Sequence, residues 1–365
     1  MVDYCSMNDT IDVNPIPYLT WNWMKINKDS VAYDFALAEN KGREIQIPDG
    51  VSVSSGKSVK TELPQPQTGI GEEASKLITD CAAEGKIYTF ERSETGDDTK
   101  PLIIRISADE NSATHQIIHA KAGANCKIII VYEGGYHTES SLSGVITKIY
   151  AENDSKVHIT KVQLCSAGVN QIDDTQFICG ERAKVSLTQI ELGGSHIDAG
   201  FHATLEGYKS QFYSDTAYIC QGNQYLDMNQ VVVHKGKKTV CDMKTHGTAK
   251  DESTKTYRGT IDLVKGCTDS QGNEIETTLL LSPKAVVKAA PIILCGEEEI
   301  SAEHGSTIGK LSNEMLFYMN SRGIDQKTAE ALLTRAKISA AASNIPDEKI
   351  QDEINSWLNK EVGED

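Results

Sequence analysis

Residues 299–324, EISAEHGSTIGKLSNEMLFYMNSRGI, carry the most distinctive chemical grouping of the chain. His304 stands between Glu303 and Gly305, and Ser306 and Thr307 follow. Imidazole and carboxylate both suit a borderline metal such as iron. A glycine among small residues lets another backbone come close. Cys295, in the stretch PIILC, would add a thiolate. Its three apolar predecessors fit a buried core thiol equally well.

No other pattern carries a catalytic signature. Gly236-Lys237-Lys238 lacks the remaining spacing of a phosphate-binding loop, and GxGxxG, GxSxG and HExxH are missing. His115, His119, His137, His158, His196 and His202 fall in or beside β-like segments. Surface or hydrogen-bonded roles are the simpler reading for them. The many carboxylates show no spacing that selects a general acid–base pair.

The elements that must position His304 are mostly strands. From about Lys100 to about Leu294, short Val-, Ile- and Thr-rich segments alternate at period two and break at Gly, Asn and Asp. Lys156–Leu164 and Lys184–Leu192 match in register at an offset of 28, and a further offset of 28 lands on Phe212–Cys220, where only the Ser and Thr positions persist. Such a period suggests a solenoid of stacked coils. The scarcity of Asn-Gly hairpin turns favours a parallel β-helix over a sandwich, although the pattern alone leaves both open. Before the array, PIPYLTWNWMKIN (15–27) reads as an extended piece docked by its aromatic residues. EEASKLITDCAAEG (72–85) reads as a helix with Gly85 at its C-terminal cap. After the array, Ser312 and Asp325 are expected to cap helices, with Gly323 between them. Pro346 is expected in the first turn of a last helix that gathers Ile350, Ile354, Trp357 and Leu358 on one face. The end of the β-stack or another subunit must cover that stripe. The expected divisions are a cap region at 1–98, a β core at 99–309 and a helical region at 310–365.

Bulk properties narrow the function. With 36 Lys plus Arg against 52 Asp plus Glu, the net charge is −16. That charge disfavours nucleic acid and anionic membranes as partners. The first residues, MVDYCSMNDTIDVN, show neither a basic leader nor an apolar core, and no apolar run is long enough to span a bilayer. Nine cysteines without a CxxC pair argue against structural zinc and predict mostly buried, reduced thiols in a cytoplasmic protein.

The segment around His304 resembles the C-terminal hallmark of the SufB and SufD proteins of SUF iron–sulfur cluster assembly, closest to the SufD branch. The matching residues are His304, Gly305, Thr307, Gly309, Leu316-Phe317-Tyr318 and Arg322-Gly323-Ile324. Tyr257-Arg258-Gly259-Thr260-Ile261, Gln271-x-Asn273 and Leu279-Leu280-Leu281-Ser282 are similar to further family elements. So are Glu191-Leu-Gly-Gly194, Leu205-Glu-Gly207, His234 and the N-terminal Thr20–Asn27 segment.

The resemblance implies a right-handed parallel β-helix with a small N-terminal α/β cap and a C-terminal helical domain. It implies a non-catalytic scaffold that dimerises, with itself or a SufB-type subunit, around His304, Gly305 and Thr307. A SufC-type ATPase would dock on Leu316, Phe317, Tyr318 and Arg322. No cofactor is expected to be tightly bound, and a cluster would be transient, with His304, Glu303 and Cys295 as candidate ligands. Two family cysteine positions fall at Ala203 and Ala302, which removes the thiolates expected there. Competing readings are a cytosolic β-helix enzyme acting on polysaccharide and a purely structural adaptor.

Overall fold

The computed structural model describes residues 9–20, 22–33, 37–56, 63–82, 85–92, 100–135 and 140–362. Cys5, Trp21 and His137 lie outside them. A hairpin of β1 (Asp9–Val13) and β2 (Asp29–Tyr33) leads into β3 (Ala38–Glu39), β4 (Arg43–Gln46), β5 (Val51–Gly56) and helix α1 (Glu72–Cys81). The chain then climbs between two facing sheets.

One sheet holds β6 (Gly85–Phe90), β8 (Ser112–Ala120), β10 (Ser141–Ala151), β12 (Val169–Cys179), β14 (His196–Leu205), β16 (Tyr225–His234), β18 (Thr254–Leu263) and β20 (Val286–Cys295). The other holds β7 (Leu102–Ser107), β9 (Asn125–Glu133), β11 (Lys156–Gln163), β13 (Lys184–Glu191), β15 (Gln211–Cys220), β17 (Val240–Ala249), β19 (Ser270–Leu280) and β21 (Ile300–Gly309). Pairing within each series is parallel, so successive strands alternate between sheets and the chain is a two-sheeted parallel β-helix. At the N-terminal end the ladders close with reversed strands, β5 antiparallel to β6 and β4 antiparallel to β7.

The 28-residue repeat is one coil, with Lys156 paired to Lys184 and Val162 to Ile190. Later coils differ in length. The steps are 27 from Lys184 to Gln211, 29 from Gln211 to Val240 and 31 from Val240 to Gln271. Phe212 therefore pairs with Val185, so the offset of 28 that lands on Phe212 is one residue out of register with the coil.

Corners stack as well as strands. Asp154, Arg182, Lys209, Lys238 and Asp269 all have φ between 54° and 62°. Each donates its backbone N–H to the next corner's carbonyl, from Asp154 to Glu181 through Asp269 to Glu299. Left-handed backbone at non-glycine residues is unfavourable alone. Here the stacked hydrogen bonds hold it in place.

The space between the sheets is filled by inward residues such as Ile104, Ile118, Ile130 and Val185. Phe177, Phe201 and Phe212 meet across it at centroid distances of 5.1 to 6.4 Å. Ala203 is buried in the same core. Helices α3 (Gln326–Ala342) and α4 (Glu348–Glu361) follow the shorter α2 (Asn313–Ser321). Ser312 and Asp325 cap α2 and α3 as expected, accepting from Met315 N and Thr328 N at 3.1 and 2.8 Å.

Several local expectations need correction. Ile350, Ile354 and Leu358 of α4 pack with Ile338 on Ile129, Val162, Ile190 and Ala217. The apolar stripe thus covers the flank of the second sheet rather than the end of the stack. Asp347 caps α4 and Pro346 precedes it, because the side chain that accepts from Ile350 N belongs to Asp347. Helix α1 stops at Cys81, where Ala82 turns extended, and Gly85 opens β6 against Gly56 instead of capping the helix. In the 15–27 segment Tyr18 and Trp23 are 67% and 76% exposed, while Ile16 and Ile26 are buried. Among the described residues of that piece, Ile16 and Ile26 rather than Tyr18 and Trp23 are buried.

The N-terminal segment is also held by charge. Arg258 is fully buried, pairs with Asp227 and donates through Nε to the Ile26 carbonyl at 2.5 Å. Asn14 donates to Asp227 Oδ1 at 2.8 Å, and Asn229 donates to the Gly69 carbonyl at 2.6 Å. Removing one partner of a buried pair strands the other charge, at a cost of about 3–5 kcal/mol. Arg258→Ala should lower stability by that amount in urea unfolding and speed proteolysis within residues 10–33. An unchanged midpoint would show that the pair anchors nothing.

Candidate functional site

His304 lies inside strand β21 rather than in a turn, and it is exposed together with Glu303, Gly305, Ser306 and Thr307. The cause is its place in the stack. Among the described residues, β21 pairs with β19 on one side only, and β20 likewise pairs only with β18. Both strands of the last coil therefore present unpaired edges, the usual condition for adding another strand. A Cβ built on Gly305 would meet nothing within 4 Å. Among the described residues, none makes the close approach that this glycine permits.

Neighbours in a strand project to opposite faces. His304 and Glu303 therefore diverge, and His304 faces the same side as its register partner Glu274. Cys295 ends β20 in the other sheet, exposed, with its thiol donating to the Glu297 carbonyl at 3.1 Å. The buried-thiol reading is thus wrong for Cys295. It holds for Cys126, Cys165, Cys179, Cys220, Cys241 and Cys267. Glu303, His304 and Cys295 do not converge into a three-ligand group within this chain, where Asp29, His196 and Asp198 form the one such group among the described residues.

The sequence reading missed what lies beneath His304. Glu274, Glu276 and Thr278 are buried at alternate positions of β19. Lys255 is fully buried and donates to Glu276 Oε1 at 2.6 Å, its ammonium 4.9 Å from the Tyr257 ring centre and 5.3 Å from that of Tyr218. Ser306 of the last strand donates to Glu276 Oε2 at 2.6 Å. Farther in, Gln230 bonds Thr216 and Thr245 at 3.1 Å each, and Lys161 pairs with Asp173 beside Tyr132. Polar groups thus recur along the interior as far as the uncovered coil.

The Tyr257-Arg258-Gly259 motif has a physical reading in this setting. Tyr257 lines the interior, Arg258 clamps the N-terminal segment outside, and Gly259 leaves room for a carboxylate. A Cβ at Gly259 would stand 2.0 Å from Glu274 Oε1. His234, the mid-chain histidine, is buried and bonded to Thr239 Oγ1 at 2.7 Å. Burial pushes it down to about 4, so it stays neutral.

Burial pushes the Glu274 carboxyl up to about 7, with the nearby Tyr257 hydroxyl acting in the opposite direction. Neither carboxyl oxygen has a hydrogen bond of normal geometry.

Set beside known proteins, the sequence that forms this two-sheeted β-helix matches a family of assembly proteins. The model of the SUF system FeS cluster assembly SufBD core domain covers residues 104–337, and the chain belongs to the SufBD family. It is 22% identical over 279 residues to the iron–sulfur cluster assembly protein SufD of Bacillus subtilis, covering 76% of this chain and 63% of that one. A chloroplastic SufBD family protein of Arabidopsis thaliana is 24% identical over 67% of this chain and 45% of its own length. One from Methanothermobacter thermautotrophicus is 24% identical over 66% and 59%. The match therefore spans about half to just under two thirds of these relatives. Among the described residues, no helix is long and apolar enough to cross a membrane.

The Glu274 carboxyl makes a pH prediction. Between its ordinary value of 4.5 and about 7, the folded chain keeps a proton that the unfolded chain releases. Its contribution is present at pH below 4.5 and falls as pH rises towards 7, by on the order of 3 kcal/mol. Glu274→Gln should therefore flatten the loss of stability between pH 5 and pH 8 read by denaturant midpoints at about those two values. Parallel profiles for the two proteins would contradict this burial effect.

Proposed function

We propose that this chain is a SufD-like, non-catalytic subunit of a cytoplasmic SUF assembly complex. Its uncovered last coil would dock a second β-helix chain, either a copy of itself or a SufB-type subunit. The observation that carries the reading is the pair of unpaired strand edges at β20 and β21, with His304, Gly305 and Thr307 exposed on one of them. Iron and persulfide sulfur are cargo in this account. His304 offers an imidazole and Glu274, behind it, a carboxyl group, while thiolate must come from the opposing chain or from Cys295, since Ala203 and Ala302 offer none. Glu303 lies on the outer face and could reach only a ligand bound there.

The second contact is α2. Phe317 and Tyr318 are 77% and 58% exposed, and Arg322 stacks on Tyr318 at 5.4 Å. Leu316 instead lines a groove with Leu280 and Leu281. We assign the aromatic face of α2 to a SufC-type ATPase, whose hydrolysis would drive rearrangement of the scaffold. Deleting the whole tail is a poor test, because α3 and α4 cover the apolar flank of the second sheet.

Phe317→Asp with Tyr318→Asp should abolish co-purification with the SufC-type ATPase of the same genome. As exposed positions, they should change stability within about 0.5 kcal/mol. Retained binding would refute the assignment of α2. In cells, His304→Ala should reduce cluster output while leaving that co-purification intact. Full output would remove His304 from the mechanism.

A further inference from the structure

A second set of chemistry-bearing groups lies away from the last coil, where β2 rests on the outside of β14. His196 Nε2 stands 2.9 Å from Asp29 Oδ2 and 3.3 Å from Asp198 Oδ2. One atom from each residue lies within 4.8 Å of the other two. Ligands about 2.1 Å from a common ion stand about 3.0 Å apart at right angles and about 3.4 Å apart in a tetrahedron. Both measured separations match those spacings.

Hydrogen bonding alone leaves this cluster unsatisfied. A ring nitrogen carries one N–H, and the contact to Asp29 uses it. Asp198 is 1% exposed; its Oδ2 has the 3.3 Å contact with His196, and neither of its oxygens has a hydrogen bond of normal geometry. A buried carboxylate left so is costly. The cavity of about 200 Å³ beside it is lined by His196 and Asp198 with their register partners Asn170 and Ile172, among others. Tyr225 supports the group from the other side. Its ring lies 4.4 Å from that of His196, and its hydroxyl donates to Asp29 Oδ1 at 3.3 Å, leaving Oδ2 for a ligand. Outer partners of this kind commonly orient metal ligands.

We propose that Asp29, His196 and Asp198 bind one divalent first-row transition cation, and that the ion ties the N-terminal hairpin to the β-helix. One imidazole with two carboxylates suits Zn²⁺, Fe²⁺, Mn²⁺ or Co²⁺, and the imidazole argues against Mg²⁺ or Ca²⁺. Three protein ligands leave a position open towards the cavity, where water would complete the shell. The site is separate from the last coil and does not depend on the role assigned to His304.

The test uses the full chain, stripped with chelator and titrated with Co²⁺. The expected result is one equivalent bound with visible d–d absorption, displaced by Zn²⁺, and slower proteolysis of residues 10–33 in the loaded protein. Asp198→Asn and His196→Gln should each weaken binding by tenfold or more. Tyr225→Phe, which keeps every ligand, should weaken it less and guards against a variant that fails to fold. Cys295→Ala and His304→Ala should leave it unchanged. Absence of saturable binding up to millimolar Co²⁺ would overturn the proposal and leave an imidazolium held between two carboxylates. The same would follow from equal binding by the folded Asp198→Asn and His196→Gln proteins.

Discussion

In a parallel β-helix every strand depends on the coil above and the coil below for its backbone hydrogen bonds. The ladder must therefore end somewhere, and each end must be managed. Here the two ends are treated differently. At the N-terminal end the reversed strands β4 and β5 take up the free edges of β7 and β6. At the C-terminal end the chain leaves β21 for α2, and α3 and α4 fold back along the flank of the second sheet without covering β20 or β21. The exposure of His304 and the open space beside Gly305 both follow from that single asymmetry.

The same architecture controls the charges. A solenoid has two covered surfaces on its first sheet, the interior and the face under the N-terminal segment, and this chain places ionic groups on both. Lys161 with Asp173 and Lys255 with Glu276 lie inside, and Arg258 with Asp227 lies outside. Buried pairs add little net stability over apolar packing, but breaking one is costly. Each links groups that the alignment of the coils brings together. Where pairing is incomplete, as at Glu274 and Asp198, buried carboxyl oxygens lack a hydrogen bond of normal geometry.

Much of the fold was legible in the sequence, and the misses have physical causes. Period-two alternation marked the strands, and the caps Ser312 and Asp325 were readable because a short oxygen-bearing side chain must satisfy the first helical N–H groups. Coil length was not readable beyond Lys184, since corners of varying length shift the register from 28 to 27, 29 and 31. Left-handed corners went unseen because Arg182, Lys209 and Lys238 fill them instead of glycine. Of the site, His304 stood out through its small neighbours. Lys255, Glu274 and Glu276 did not, because polar residues at alternate strand positions look solvent-facing until both faces are known to be covered. Asp29, His196 and Asp198 join segments 167 residues apart, which no local pattern could reveal.

The central claim is that the uncovered last coil is the working face of the molecule. Amide hydrogen exchange, compared for the chain alone at low concentration and in its assembled complex, tests it most directly. The account predicts new protection concentrated in β20 and β21, around residues 286–309, with the flank under α3 and α4 unchanged. Unaltered exchange in β21, with protection appearing elsewhere on the β-helix, would contradict it.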